Sequence, residues 1–422
     1  MSSKIGVGFV GAGFITNFHI RSWQGVREAD IVGIADIIES KAAAAADNCR
    51  KYRVGDPMVC GSVTELIENP EVDALWLCVP NYLRIPLMKE IVEAVRSGRG
   101  KLIGVACEKP LGRNAAEAQQ MVKLAKEANL LHGYLENQVF SPAVNRGREI
   151  LWRRGAAASG PPYLARCAEE HAGPHEPWFW RGDQQGGGVL NDMMCHSIEV
   201  ARYLLTDPSK PKNSLVPKTV SAEIGSLKWS RANYAEQLKK RSGGQVDYFK
   251  HPAEDYARAT VTFEDKEGRT AVAEVSTSWS FVGAGLRLSI EVLGPEYSLQ
   301  SSSLNTDLNV FFSRNVTGRE GEDLVEKQNA EQGLMPVVSC EEVIYGYTNQ
   351  NRRMAESFAD GRMPEENFED GLLVARLLMT AYMSAEQGRK LDFPPPGLDK
   401  FVPAVARGTW KPGNLIKGLP PE

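Results

Sequence analysis

The chain has 422 residues, of which 42% are hydrophobic, 24% charged and 8% aromatic, a globular composition with enough apolar material for two domain cores. Its 49 Lys and Arg against 53 Asp and Glu leave a net charge of −4, so nucleic acid and anionic membrane surfaces are poor partners. No apolar run approaches a bilayer span, no Cys-x-x-Cys occurs among the seven cysteines, and Lys4 leads straight into an apolar strand with no signal peptide. The expectation is a cytoplasmic protein with reduced thiols.

The first 135 residues alternate strand and helix patterns. Residues 5–10 (IGVGFV) form an apolar strand that stops at glycine, a helical stretch runs from Phe14 to Trp23, and Ile31–Ala35 is a second buried strand. An alanine-rich helix covers 40–52, and Ser62 with Glu65 stands at capping-box spacing before the next helix. Val72–Val79 is a fully apolar strand ended by Pro80-Asn81, followed by a helix over 85–96 that stops at Gly98. A strand at Leu102–Cys107 runs into Glu108-Lys109-Pro110, Asn114 and Glu117 open another helix, and Leu131–Leu135 is a sixth strand. Continuous apolar strands separated by helices predict an α/β domain with a doubly wound parallel sheet over 1–135.

Residues 136–395 read as a second, α+β domain, closed by a Pro/Gly-rich tail over 396–422. Helical patterns at 143–154 and 189–204 precede alternating strands at 218–228, 256–264, 270–280 and 287–294, and two further helices cover about 340–360 and 367–388. Strands in succession without helices between them predict an open, mostly antiparallel sheet backed by helices. Two polar stretches, 229–253 and 302–335, interrupt this series.

The turn Gly11-Ala12-Gly13-Phe14-Ile15-Thr16 joins the first strand to the first helix. Glycine at 11 suits a tight turn and glycine at 13 lets backbone approach a pyrophosphate, with the helix N–H groups facing it; Gly11, Gly13, Phe14 and Ile15 are the cofactor candidates here. Thr16 occupies the third fingerprint position, where Gly or Ala is usual. Asp36 ends the second strand, where a carboxylate accepts hydrogen bonds from a ribose diol and repels a 2′-phosphate. Ile37 and Ile38 beside it offer no cation, so the cofactor is read as NAD in place of NADP. The bland alternative for Asp36 is an ordinary helix cap.

Glu108-Lys109-Pro110 lies at the carboxyl end of the fifth strand, where ligands bind in open α/β sheets. With the glycine loop, Pro80-Asn81, the run Gly186–His196 (GGGVLNDMMCH) and the late segment Ala381–Gly388 (AYMSAEQG), it resembles the glucose–fructose oxidoreductase/inositol dehydrogenase/rhizopine-catabolism (Gfo/Idh/MocA) family. The resemblance implies that Pro80, Asn81, Glu108 and Lys109 border the cofactor and that Lys109, Asp192 and His196 are catalytic. It also implies a homodimer or homotetramer. The residue chemistry agrees: Asp192 and His196 are four apart and share a helix face, and imidazole titrates near 6.5, suited to accepting a hydroxyl proton. Lys109 suits a developing alkoxide, and Gly186–Gly188 would let the helix start close to a ligand. Family members usually have glycine at the position of Met194, aspartate at Glu199 and often histidine at Arg84, departures expected to reshape the substrate pocket.

Ahead of that run lies EHAGPHEPWFWR, residues 170–181. Its two histidines sit on a Gly/Pro-broken loop without a shared helix face, so no metal is expected. His171, His175, Trp178, Trp180 and Arg181 suit a polyol, aromatic faces packing on C–H groups and polar tips binding hydroxyls, although domain-seam packing explains any one ring as well. Glu136 and Asn137 are further substrate candidates, with Gln138 beside them. The leading reading is an NAD-dependent oxidoreductase acting on a secondary hydroxyl of a sugar, glycoside or cyclitol. Two alternatives stay open: a redox-neutral, NAD-dependent glycoside hydrolase, and a non-enzymatic dinucleotide-binding regulator.

Overall fold

β1 (Ile5–Val10) is buried at all six positions, as a central strand of a sheet covered on both faces must be. The structure is a computed structural model describing residues 4–313, 324–328 and 330–412. Residues 314–323 and 329 of the second polar stretch, and 413–422 of the tail, lie outside the described residues. The chain divides into two compact units, one of Met1–Ser141 with Tyr345–Ala375, the other of Pro142–Ile344 with Arg376–Glu422.

In the first unit β1 is followed by α1 (Phe14–Ser22), β2 (Ala29–Ala35), α2 (Glu39–Tyr52), β3 (Met58–Cys60), α3 (Val63–Glu68), β4 (Ala74–Leu77), α4 (Arg84–Arg96), β5 (Gly104–Glu108), α5 (Ala115–Glu127) and β6 (Leu131–Leu135). The strands are all parallel in the order β3-β2-β1-β4-β5-β6. The order reverses between β1 and β4, which opens a crevice at their carboxyl ends. Ser62 and Asn114 cap α3 and α5 by accepting the N–H groups of Glu65 at 3.1 Å and Glu117 at 3.0 Å, as their spacing predicts.

The expected boundary at residue 135 assigns 345–375 to the second domain; the structure returns that segment to the first unit. The reason is a buried hydrogen-bond knot on α12 (Tyr347–Ala359). Asn351 accepts from the Trp76 indole at 3.0 Å, donates to the Ser22 hydroxyl at 2.8 Å and meets the His19 Nδ1 at about the same distance. Phe358 packs edge-on against Trp76 at 5.7 Å between ring centroids. No local pattern announces a pairing 275 residues apart.

The second unit begins with α6 (Pro142–Ile150), which widens through residues 151–156 into α7 (Ala157–Ser159), then β7 (Leu164–Glu170), α8 (Gly182–Gln185) and α9 (Val189–Leu205). There follow β8 (Leu215–Gly225), α10 (Ala232–Arg241) inside the first polar stretch, β9 (Tyr256–Asp265), β10 (Thr270–Ser278), β11 (Arg287–Gly294) and β12 (Tyr297–Ser302). The short ribbon β13 (Asn309–Phe312) with β14 (Gly333–Pro336) precedes α11 (Glu341–Ile344). After α12 comes α13 (Phe368–Gln387), whose residues from Arg376 onward belong to this unit, and then β15 (Leu391–Asp392). The expected separate tail is not separate: Leu398–Lys400 and the chain to residue 412 group with this unit.

Seven strands order as β12-β11-β7-β10-β9-β8-β15. Only β7 and β10 run parallel; the other pairs are antiparallel. β7 is not legible in the sequence, because its charged residues, Arg166, Glu169 and Glu170, hide its period. Its alternate residues Ala165, Cys167 and Glu169 are buried, on the face where α9 packs. The opposite face carries a charge ladder, Arg166 bridging Glu274 at 2.7 Å and Glu291 at 2.6 Å, with Arg258 on Glu223 at 2.8 Å. All seven cysteines are free thiols, and among the described residues no helix is long and apolar enough to cross a membrane.

Asn351→Ala strands the buried Trp76 N–H and the buried His19 Nδ1, while the Ser22 hydroxyl keeps its bond to the His19 carbonyl, and should destabilise the first unit by about 2–4 kcal/mol. Thermal and urea unfolding of the purified variant measures this directly.

Candidate active site

The first group of site residues lies at the carboxyl ends of β1, β2, β4 and β5. Gly11 has φ +94°, and a Cβ there would stand 2.5 Å from the Cys78 carbonyl oxygen, so only glycine serves. At Gly13 a Cβ would meet nothing within 4 Å: the protein leaves that position open. No side chain caps α1, and its first turn holds no acid, which leaves a positive helix end for an anion. The Thr16 departure is accommodated because its buried hydroxyl donates to the Gly11 carbonyl at 2.7 Å and closes the loop.

Asp36 accepts from the Ala12 N–H at 2.7 Å and the Ile38 N–H at 2.8 Å. It therefore clasps the glycine loop to the end of β2, and it is not the cap of α2, whose N-cap is Ile38 with no side-chain cap bond. Each carboxylate oxygen keeps a second lone pair, so these bonds do not exhaust it. Ile37 is 90% exposed and Phe14 is 48% exposed beside this loop. Open space at Gly13, an uncapped helix start and an exposed apolar pair fit a dinucleotide.

Lys109 is half-buried and follows Glu108, whose carboxylate is buried against His19 at 2.8 Å and accepts the Lys109 N–H at 3.1 Å. Burial pushes the Glu108 carboxyl up, but the His19 hydrogen bond and the charges of Lys109 and Arg84 leave it below its usual range. Arg84 does not line a pocket as expected. Its buried guanidinium binds the carbonyls of Val79 at 3.3 Å, Lys109 at 3.0 Å and Pro110. It ties the Pro80-Asn81 turn to the Lys109 turn, and Asn81 is buried between these ties.

The second group lies under α9. Asp192 and His196 are buried on its first two turns. The Trp279 indole donates to Asp192 Oδ2 at 3.3 Å, and His196 Nε2 stands 3.9 Å from Glu169 Oε2. A second buried acid therefore faces the imidazole, carried on β7, a strand with no apolar period to announce it. The Gly186–Gly188 run has an internal reason. Gly186 has φ +103°, and Cβ atoms at 187 and 188 would collide with the side chains of Tyr382 and Glu254.

Several predicted contacts are spent otherwise. Trp180 is 2% exposed, its indole donates to the Pro174 carbonyl at 3.0 Å, and its ring packs among Trp229, Tyr248 and Trp279. It is core, not a sugar platform. Asn137 donates to the Tyr345 carbonyl at 2.8 Å, and Glu136 caps the turn over Asn137–Phe140 through Gln138. His171 Nδ1 accepts the Gly173 N–H at 2.9 Å, which leaves a neutral ring its proton on Nε2. Arg181 pairs with Asp183, Trp178 stacks on Phe179 at 3.8 Å, and His175 is exposed. Met194 lies in the core, and Glu199 is buried in a pair with Arg202.

A 3-2-1-4-5-6 parallel sheet with an open glycine turn and an acid closing β2 defines a nicotinamide-dinucleotide oxidoreductase. Residues 5–134 match the oxidoreductase family with an NAD-binding Rossmann fold, and residues 156–300 match that family's C-terminal domain. The chain belongs to the Gfo/Idh/MocA family, and its cofactor is NAD. It is 24% identical to levoglucosan dehydrogenase of Pseudarthrobacter phenanthrenivorans over 405 residues, 93% of this chain and 98% of that one. It is 25% identical to myo-inositol 2-dehydrogenase of Thermotoga maritima over 219 residues, 52% of this chain and 60% of the relative. In fold it is similar to GenD2 from gentamicin A biosynthesis in complex with NAD (TM-score 0.73, 22% identity, 93% and 97% coverage). It is likewise similar to levoglucosan dehydrogenase in complex with NADH (TM-score 0.66, 20% identity, 93% and 100% coverage).

Buried Glu254 gives a pH signature. Burial pushes its carboxyl up to about 7, against the pull of the Tyr382 hydroxyl and backbone N–H groups. A raised folded value favours the native state fully below the unfolded value of 4.5, and that favour is lost as pH rises through about 7. Stability should therefore decline between those limits, and Glu254→Gln should flatten the decline in thermal melts taken from pH 4.5 to 8.

Proposed function

We propose that the protein is an NAD-dependent dehydrogenase that oxidises a secondary hydroxyl of a sugar, glycoside or cyclitol. The observation carrying this reading is His196, buried on α9 one turn after Asp192 and facing Glu169. Such a histidine, with acids beside it, is a competent acceptor for a hydroxyl proton. Similarity to a levoglucosan dehydrogenase over nearly the whole chain supports a carbohydrate as the substrate class.

Bound NAD supplies the hydride acceptor. His196 would take the hydroxyl proton, and the Lys109 ammonium has the charge to steady a developing alkoxide. With NAD bound, the carbinol C–H would be given up as hydride, so that one proton and one reduced cofactor would accompany each ketone. Asp192, oriented by the Trp279 indole, favours the imidazolium that results. Arg84 holds the backbone beneath Lys109, and Asp36 receives the ribose diol. His171, His175, Trp178 and Arg181 remain candidates for the outer hydroxyls of the substrate. The redox-neutral hydrolase reading is not favoured, since the named relatives above are dehydrogenases. The open, ladder-bearing sheet face is the surface through which a homodimer or homotetramer would form, and the buried free thiols suit a cytoplasmic setting.

His196→Ala and Lys109→Ala should each lower turnover by about 100-fold or more while NAD still binds; near-normal turnover by either variant removes that residue from its role. NAD should bind at least ~10-fold more tightly than NADP in a fluorescence titration, and Asp36→Ala should narrow the gap. With the correct sugar from a panel, NADH formed should equal ketone formed, and aglycone release without NADH would restore the hydrolase reading.

A further inference from the structure

The helix that carries Asp192 and His196 starts without a cap of its own. Gly188 stands at the N-cap and supplies no side chain, and the first N–H groups of a helix need acceptors when buried. Glu254, from the turn before β9, reaches in to supply one. Its Oε1 accepts the Gly188 N–H at 2.9 Å, the Leu190 N–H at 3.1 Å and the Tyr382 hydroxyl of α13, and its main-chain carbonyl accepts the Val189 N–H at 3.0 Å. Glu254 is fully buried. The fit excludes side chains on the helix start: a Cβ on Gly187 would stand 2.0 Å from the Tyr382 hydroxyl, and one on Gly188 would stand 2.6 Å from Glu254 Oε2.

The next residue braces the same region from the other side. The Asp255 carbonyl accepts the Trp279 N–H at 2.8 Å, and the Trp279 indole donates to Asp192. The Asp255 carboxylate accepts the N–H groups of Leu227, Lys228 and Trp229 at 2.7–3.0 Å, which anchors the first polar stretch to the same turn. One dipeptide thus grips the start of α9 and the residue that orients Asp192.

We propose that Glu254 is a positioning residue for the reaction: with Tyr382 it fixes the depth and rotation at which α9 presents Asp192 and His196. Gly187 and Gly188 are the space this clamp requires, rather than an approach for substrate. The proposal rests on the catalytic assignment of His196. A small displacement of a catalytic group is enough to cost about 100-fold in rate, so the clamp should show in turnover before it shows in cofactor binding.

The test compares Glu254→Ala, Glu254→Gln, Tyr382→Phe and His196→Ala for kcat, KM of the sugar, NAD affinity and thermal unfolding. Glu254→Ala should lower kcat by about 30- to 100-fold with NAD affinity within about twofold of the parent. Glu254→Gln keeps an oxygen acceptor of the same shape and should recover kcat to within about fivefold, while Tyr382→Phe should lower it by about 3- to 10-fold. Folded Glu254→Ala with kcat within twofold of the parent overturns the proposal, as does a glutamine variant no better than alanine. If Glu254→Ala does not fold, an unchanged kcat in Tyr382→Phe overturns it instead. Normal turnover in His196→Ala sinks the catalytic assignment itself, whereas an inert His196→Ala beside an active Glu254→Ala sinks only the clamp.

Discussion

The N–H groups that open an α-helix must find acceptors, and the chain meets that demand in opposite ways at its two glycine-led helices. At α1 no side chain of the described residues caps the helix, and a Cβ on Gly13 would meet nothing within 4 Å. At α9 the demand is answered internally by Glu254. The first arrangement leaves a positive helix end available for phosphates. The second makes a rigid mount for Asp192 and His196. Cofactor binding and acid–base chemistry thus rest on one physical constraint resolved twice, with glycine serving a ligand in one place and the protein's own side chains in the other.

Buried charge is the second organising feature. Taking ions out of water is costly unless each finds a partner, and the site residues are paired accordingly. Glu108 is held by His19, Arg84 by three carbonyls, and Glu199 by Arg202. The turns at Pro80-Asn81 and Lys109-Pro110 are both tied to Arg84, so the backbone around Lys109 is over-determined. Preorganisation of this kind lets one ammonium act on a developing charge without reorganising its surroundings. The departures from the family pattern at Arg84, Met194 and Glu199 look like pocket changes in sequence. In space they are internal ties and core packing.

The two polar stretches are more structured than their composition suggests. The first carries α10, its start is gripped by Asp255, and Trp229 enters the aromatic cluster around Trp180 and Trp279. That cluster lies directly behind the indole that meets Asp192. The aromatic loop and the stretch therefore support Asp192 from behind, through packing, and that packing covers nearly all of Trp180.

The sequence by itself determined the parallel sheet, the glycine turn, Asp36, and the placement of Lys109, Asp192 and His196 on their elements. These are local signals: apolar runs of strand length, a glycine that must take positive φ, caps three residues before their partners, and a four-residue helical repeat. Only the tertiary structure decided that residues 345–375 join the first unit, because Asn351 satisfies His19, Trp76 and Ser22 from more than 270 residues away. It alone revealed β7 with Glu169, whose acids break the apolar period, and the clamp of Glu254 and Tyr382, separated by 128 residues. A buried hydrogen bond between distant residues leaves no periodicity in the chain. Its partners become legible only once the strands and helices that carry them have packed.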